Sequence, residues 1–439
     1  MKTNVLVIGG GVGGLTVALK LAKCGIGVTV VEQMKGNPHL YKGELVQPKT
    51  LQIFKNIGIL SPVLAEGQVI NNIELIDRKN SEMDLEELPK QSMSYNVLPE
   101  PFHHALMIPH ETLKDLLLKE AMKYPSFQYI QPARFIGFSN GQAKVKINKE
   151  EVFIQADYYV GAEGRRSKIR DVMNLRKKEK TYDHHFLTVT FPRPSSLMEG
   201  KLISTDKTFL GLFPLPNNMV RSVYLIPKGT YKSMIAEGLT SLFQKYVDLY
   251  PSLDGYVQQI ESWKQIQLMI PVQFHVDHYV KNNIALLGDS AHSVHPMAGE
   301  GMNLAIQDGD VLGELFCWMY EHNALSNDYL SLYEKVRKPR VQHILKLSHL
   351  AALAYSRPLR SLVSWRNKVM DQLTSDPVLH SKHMLNISGL GIWKETIIDR
   401  AIQTGMVSKR KEDFHLDKRH LFTEIDDYPW RYIEEGANR

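Results

Sequence analysis

Cysteine is almost missing from this chain: its 439 residues hold only Cys24 and Cys317. Two thiols, both in segments with helical periodicity, are too few for a disulfide framework or a zinc cage, and a reducing compartment is the expectation. Long apolar runs are missing too. No stretch approaches the roughly 18 uninterrupted residues that cross a bilayer. The opening MKTNVLVIGGG offers a strand-length apolar run before its glycines, with no leader or cleavage signal, so a cytoplasmic chain is expected. Strong charge of one sign is also absent. The +6 balance, from 53 basic and 47 acidic residues, is too slight to imply a nucleic-acid partner, though it suits anionic cofactors. There is no internal repeat and no low-complexity linker. His292 and His295 have no third ligand at metal-binding spacing, so no metal is expected. No Ser-His-Asp spacing is recognisable, which leaves a hydrolase little weight. With 43% apolar and 23% charged residues a sizeable core is assured, and the length fits a large two-lobed enzyme, monomeric or homodimeric.

What is present begins at the front. NVLVIGGGVGGLTVALKLAKCGIGVTVVEQ reads strand, turn, helix, strand. Val5 to Ile8 is the continuous apolar run of a parallel strand buried on both faces. Gly9, Gly11 and Gly14 satisfy G-x-G-x-x-G, with Gly13 inside the same turn. Gly9 allows the tight turn, Gly11 lets backbone approach a pyrophosphate, and Gly14 lets the helix lie near the strand. The helix start offers free N–H groups and partial positive charge to phosphates. Glu32, closing the second strand, can accept both hydroxyls of an adenosine ribose. NAD and the adenosine half of FAD make the same demands.

Two later turns follow the same strand-to-glycine pattern. Tyr158 to Val160 ends in Gly161-Ala162-Glu163-Gly164, and Ile284 to Leu287 ends in Gly288-Asp289. Beyond the latter, Pro296 fixes one backbone angle, Gly299 and Gly301 permit close approach to a ligand, and a helix begins.

These three motifs, in this order, resemble those of the class A (para-hydroxybenzoate hydroxylase-type) FAD-dependent monooxygenases. Gly161-Ala162-Glu163-Gly164 resembles their G-A-D-G turn, and Gly288-Asp289-Ser290-Ala291-His292…Pro296…Gly299-Glu300-Gly301-Met302-Asn303 resembles G-D-A-A-H…P…G-x-G-x-N. LYEKVRKPR, ending at Arg340, resembles their Y-E-x-x-R segment. GELVQP also resembles a stretch of squalene epoxidases. The resemblance implies an α/β fold: a Rossmann-like FAD-binding domain, an inserted antiparallel β-sheet substrate domain, and C-terminal helices. It implies Glu32 on the adenosine ribose, Lys42 near the pyrophosphate and Asp289 on the ribityl chain. The backbone from Gly299 through Gly301 and Met302 to Asn303 would meet the pyrimidine edge, and Pro296 would lie near the oxygen-reacting face. His110 stands where an FAD-contacting arginine is usual, with a surface or capping histidine as the alternative. Glu163 in place of aspartate bears on nicotinamide binding more than on FAD.

The activity so implied uses NADPH or NADH and O2. A flavin C4a-hydroperoxide hydroxylates an aromatic small molecule of phenol or quinolone type, by a base the sequence does not name. The alternatives are epoxidation of an apolar alkene or polyene, reduction of an isoprenoid, or a non-catalytic flavin sensor. The cofactor domain is expected over 1–67, 106–179 and 276–345, and the substrate domain over 68–105 and 180–275. Phe209, Leu212, Phe213, His103 and His104 are candidates for the pocket wall, although packing in the sheet's core is the first account of any one of the first three, and two polar residues at a strand edge need no function. Residues 346–439 are expected as helices with a break at Arg357-Pro358, packed on the cofactor domain or docked to a membrane surface. A charge-rich surface tail ends them in YPWRYI.

Overall fold

Strand Lys2–Ile8 occupies the middle of the larger sheet because its apolar run can be buried on both faces; Val5, Leu6 and Val7 are fully buried. The structure is a computed structural model, and it describes residues 1–35, 44–78, 90–356, 360–410, 414 and 416–433. Parallel neighbours flank the central strand, Val28–Val31 on one side and Glu150–Gly161 on the other. Phe127–Ile130 and Ile284–Leu286 extend the parallel array outward. The register sets Ile8 beside Gly161, and Gly161 beside Leu286. The three glycine turns therefore leave adjacent strand ends along one edge, where open parallel sheets bind ligands.

A second sheet runs in the order Gln267–Met269, His184–Pro192, Met219–Pro227, Phe209–Leu215, Gly200–Ser204, Asn72–Asp77, Lys90–Ser94. Its junctions are antiparallel except one: Gly200–Ser204 runs parallel to Asn72–Asp77. There the two separate insertions meet, so no hairpin dictates the direction.

Helix Val12–Lys23 crosses helix Gly301–Glu321 almost backbone to backbone. A Cβ on Gly13 would sit 2.7 Å from the Ala305 carbonyl oxygen, and one on Gly309 would sit 2.5 Å from that of Gly13. Lys20 reaches across to Asp310 at 2.7 Å and Glu314 at 2.8 Å. Just past the first helix, Cys24 is disulfide-bonded to Cys317 in the second. The expectation of two isolated, reduced thiols is thereby corrected. The cysteines lie 293 residues apart in sequence, and only the helix crossing brings them together. Cys317→Ser should lower stability by about 2–4 kcal/mol, as loss of a loop-closing link does. Denaturant titration of parent and variant, with and without reductant, reads this; equal midpoints in all four would contradict it.

Helix Asn327–Ser356 spans residues 345 and 346. The break expected at Arg357-Pro358 lies outside the described residues. Helices Arg360–Ser375, Pro377–Ser388 and Ile397–Gln403 follow. The expected surface tail is corrected at residues 427–430: Trp430 is fully buried, and the Tyr428 hydroxyl donates to Asp310 Oδ2 at 2.7 Å. Asp427 pairs with Lys49 at 2.6 Å and Arg340 at 2.5 Å. Its charge is neutralised by partners far away in sequence, which composition does not reveal. Among the described residues no helix is long and apolar enough to cross a membrane.

Candidate active site

The first turn is shaped for an anion. Gly9 has φ +113°, and Gly11 caps the helix Val12–Lys23 with no side chain covering its first-turn N–H groups. A Cβ on Gly11 would meet nothing within 4 Å, so this side of the loop is open. Glu32 is held at the loop: its Oε2 accepts from the Gly10 N–H and its Oε1 from the Met34 N–H, both at 2.8 Å. Lys42 lies outside the described residues.

The middle turn is joined to the last one. Ser290 Oγ accepts from the Gly164 N–H at 3.1 Å, and Arg170 donates to the Ser290 carbonyl at 3.2 Å. Glu163 points the other way. Its Oε2 accepts from the Ser167 hydroxyl and the Ile169 N–H, both at 2.9 Å, and so caps the helix Lys168–Val172.

Asp289 is different in kind. It is half-buried, and no described residue hydrogen-bonds its carboxylate. Burial raises its pKa, while His292, Arg165 and Arg170 pull it back down. A half-buried carboxylate that no described residue hydrogen-bonds fits a ligand bearing hydroxyl donors.

The turn carrying Asp289 is fixed from behind by Asp308 of helix Gly301–Glu321. Oδ2 of Asp308 accepts from the Gly288 N–H at 2.9 Å and lies 2.6 Å from His292 Nε2; Oδ1 accepts from Arg337 Nε at 2.7 Å. Asp308 and Arg337 are both fully buried. Burial opposes the charge on Asp308, yet His292 and Arg337 outweigh it and hold the carboxyl below the usual range. His292 and His295 thus point to different partners. Among the described residues no group of three or more His, Cys, Asp or Glu side chains is placed to hold a metal ion.

Pro296 opens a short turn, Pro296–Ala298, that ends at Gly299 with φ +64°. His295, fully buried, governs its approach. The Met297 N–H donates to His295 Nδ1 at 3.2 Å, so the ring proton rests on Nε2 and points at His184 Nε2, 2.9 Å away. Burial, and after it His184 and His349, pushes the His295 pKa down to about 3. The two rings form a neutral wall beside Phe186.

Asn303 uses its whole carboxamide within the protein. Oδ1 accepts from the Gln47 N–H and the Thr50 hydroxyl, while Nδ2 donates to the carbonyls of Leu45 and Gly299. It clamps the glycine pair to residues 45–50. Met302 is buried in a core cluster, so from Gly299 to Asn303 it is the backbone that remains for a ligand. Between them Glu300 is buried; burial holds its pKa well above the carboxylate range, while Arg337 and a hydrogen bond from Gln47 pull it down.

Of the expected wall residues, Phe209 packs with Phe186 and Leu225 against Met297. Phe213, four residues on, shares its face of the strand. Leu212 is corrected: strand alternation turns it to the opposite face, into the core under Tyr246 and Leu249. His103 and His104 stand half-buried before strand Ala105–Met107, their rings edge to face at 5.8 Å. His110 is the first residue of helix His110–Ala121 and is buried. Sequence reasoning missed His184, Asp308, Arg337 and the Glu44–Arg221 ion pair. Of these, only Arg337 carried a signal, as the arginine of Y-E-x-x-R.

Three glycine turns on neighbouring parallel strands, beneath a mixed sheet, define a dinucleotide-binding oxidoreductase with a roofed site. Over residues 2–348 the chain matches the FAD binding domain family and belongs to it. It is an FAD-dependent monooxygenase of class A architecture. The 6-methylpretetramide 4-monooxygenase of Streptomyces rimosus is 24% identical, the alignment covering 79% of this chain and 82% of the relative. The pentachlorophenol 4-monooxygenase of Sphingobium chlorophenolicum is 22% identical over 88% of this chain and 70% of its own length. The crystal structure of the p-nitrophenol 4-monooxygenase PnpA from Pseudomonas putida DLL-E4 shares the fold with a TM-score of 0.76 at 17% identity, covering 88% of this chain and 98% of that one.

Proposed function

We propose that this chain hydroxylates an aromatic small molecule with O2, using NADPH or NADH as reductant. The single observation behind the reading is the half-buried carboxylate of Asp289, hydrogen-bonded by no described residue, on the turn beside the open Gly11 loop. In this reading the Gly11 loop and the helix behind it hold the pyrophosphate, aided by Lys42, and Glu32 holds the adenosine ribose. Asp289 holds the ribityl hydroxyls. The backbone from Gly299 to Asn303 meets the pyrimidine edge, its helix end favouring negative charge there. Pro296 and the neutral His295–His184 pair keep water from the reacting face. When bound, FAD supplies both the hydride acceptor and the oxygen-activating centre. Use of pyridine nucleotide as reductant supports a cytoplasmic reaction. Relatives named as monooxygenases of 6-methylpretetramide and of pentachlorophenol favour ring hydroxylation over epoxidation of an alkene.

The test is NAD(P)H oxidation by the holoprotein across a panel of phenols, followed by product analysis under isotopically labelled O2. The expected result is substrate-stimulated oxidation with one labelled oxygen atom per product. Oxidation that yields only hydrogen peroxide with every phenol in the panel overturns the reading.

A further inference from the structure

The roof sheet has a front and a back. On strands His184–Pro192, Met219–Pro227 and Phe209–Leu215 the register aligns Phe186 with Leu225, Thr188 with Val223, and Arg221 with both Thr190 and Phe213. Phe186, Leu225 and Phe209 pack against Met297 of the Pro296 turn, which identifies this face as the one turned to the proposed flavin site. The opposite face is filled by Leu187, Val189, Leu210 and the helix beneath them. On the front face of these three strands Arg221 is the one permanently charged side chain.

Arg221 is already matched. Its Nε and Nη2 donate to Glu44 Oε2 and Oε1 at 2.8 and 2.7 Å, a bidentate pair with side chains 15% and 5% exposed. Glu44 belongs to the GELVQP segment, immediately before Leu45. The Leu45 carbonyl accepts from Asn303, and its side chain lies 3.3 Å from where a Gly299 Cβ would stand. The pair therefore spans the gap between the roof sheet and the flavin loop.

We infer that Glu44 is a specificity-determining residue: by neutralising Arg221 it restricts the site to uncharged aromatic substrates and rejects those bearing a carboxylate. The inference rests on the proposed hydroxylase reading. An incoming carboxylate gains nothing by taking the guanidinium. It would replace one bidentate partner with another and leave the Glu44 charge buried and unpaired. Glu44 also repels an anion directly. A neutral ring meets an apolar wall and disturbs no charge.

Binding of 4-hydroxybenzoate and of its methyl ester to FAD-loaded protein is measured by perturbation of the flavin absorbance. The two probes share a ring and differ in charge. The wild type should bind the ester at least tenfold more tightly than the acid. Glu44→Gln, which removes the carboxylate charge facing Arg221 while keeping the side-chain shape, should raise affinity for the acid at least tenfold. The double variant Glu44→Gln/Arg221→Met should lose that gain. Wild-type preference for the acid, an acid affinity unmoved in Glu44→Gln, or silence of both probes in both proteins overturns the inference. If Glu44→Gln does not retain FAD, the wild-type ratio decides alone. Binding selectivity needs no turnover, so a protein that selects the ester yet never consumes NAD(P)H would sink the hydroxylase reading and leave this one standing.

Discussion

Asp289→Ala should purify as a pale protein that binds FAD at least a hundredfold more weakly than the parent. The carboxylate sits half-buried on the turn Gly288–Ser290, with its charge disfavoured by burial and no hydrogen bond from a described residue in return. In the proposed complex that deficit is met by ligand hydroxyls. Hydrogen bonds to a charged group contribute about 1.5–3 kcal/mol each, and about 2.7 kcal/mol is a hundredfold in affinity. Asp289→Asn keeps one acceptor oxygen and should lose closer to tenfold. Titration of each apoprotein with FAD, followed by flavin fluorescence, gives the constants. If Asp289→Ala binds FAD with parental affinity, Asp289 has no part in holding the cofactor, and the register of the last motif on the ligand is wrong.

Arg337→Ala should cost about 3–5 kcal/mol of stability, the typical penalty for leaving one member of a buried ion pair uncompensated. The loss arises at Asp308, which is fully buried and accepts from the Arg337 guanidinium on one oxygen. Its other oxygen must then support the charge through His292 and the Gly288 N–H alone. Since those two groups belong to the turn that carries Asp289, FAD affinity should fall alongside stability. Arg337→Met/Asp308→Leu removes both charges and should recover part of the stability, because an apolar pair of similar volume avoids the desolvation cost. It should not recover flavin affinity, since the turn has lost its anchor. Chemical denaturation of the apoproteins reads the first quantity and FAD titration the second. A loss below 1 kcal/mol for Arg337→Ala would mean that the cluster is not what holds the turn.

Much of the cofactor lobe was legible in the chain because its signals are local. An apolar run ending in glycine encodes a buried parallel strand and a tight turn within a few residues. The chain makes that statement three times, at Gly9, Gly161 and Gly288. Leu212 packs in the core behind the sheet, on the face opposite Phe209 and Phe213, because successive residues of a strand point to opposite faces. The disulfide, the buried tail and the Glu44–Arg221 pair join residues far apart in sequence. None leaves a local pattern.

By itself, then, the sequence determined which turns can accept a dinucleotide, since backbone freedom and strand burial are properties of short segments. Only the tertiary structure decided what faces that ligand. The parallel register lines the three turns along one edge. The helix crossing at Gly13 and Gly309 brings the first turn against the helix that follows the last. The front face of the roof sheet then puts one arginine beside one glutamate. Charge cancellation at such a distance along the chain is a property of packing, because the Coulomb energy depends on separation in space and not on separation in sequence.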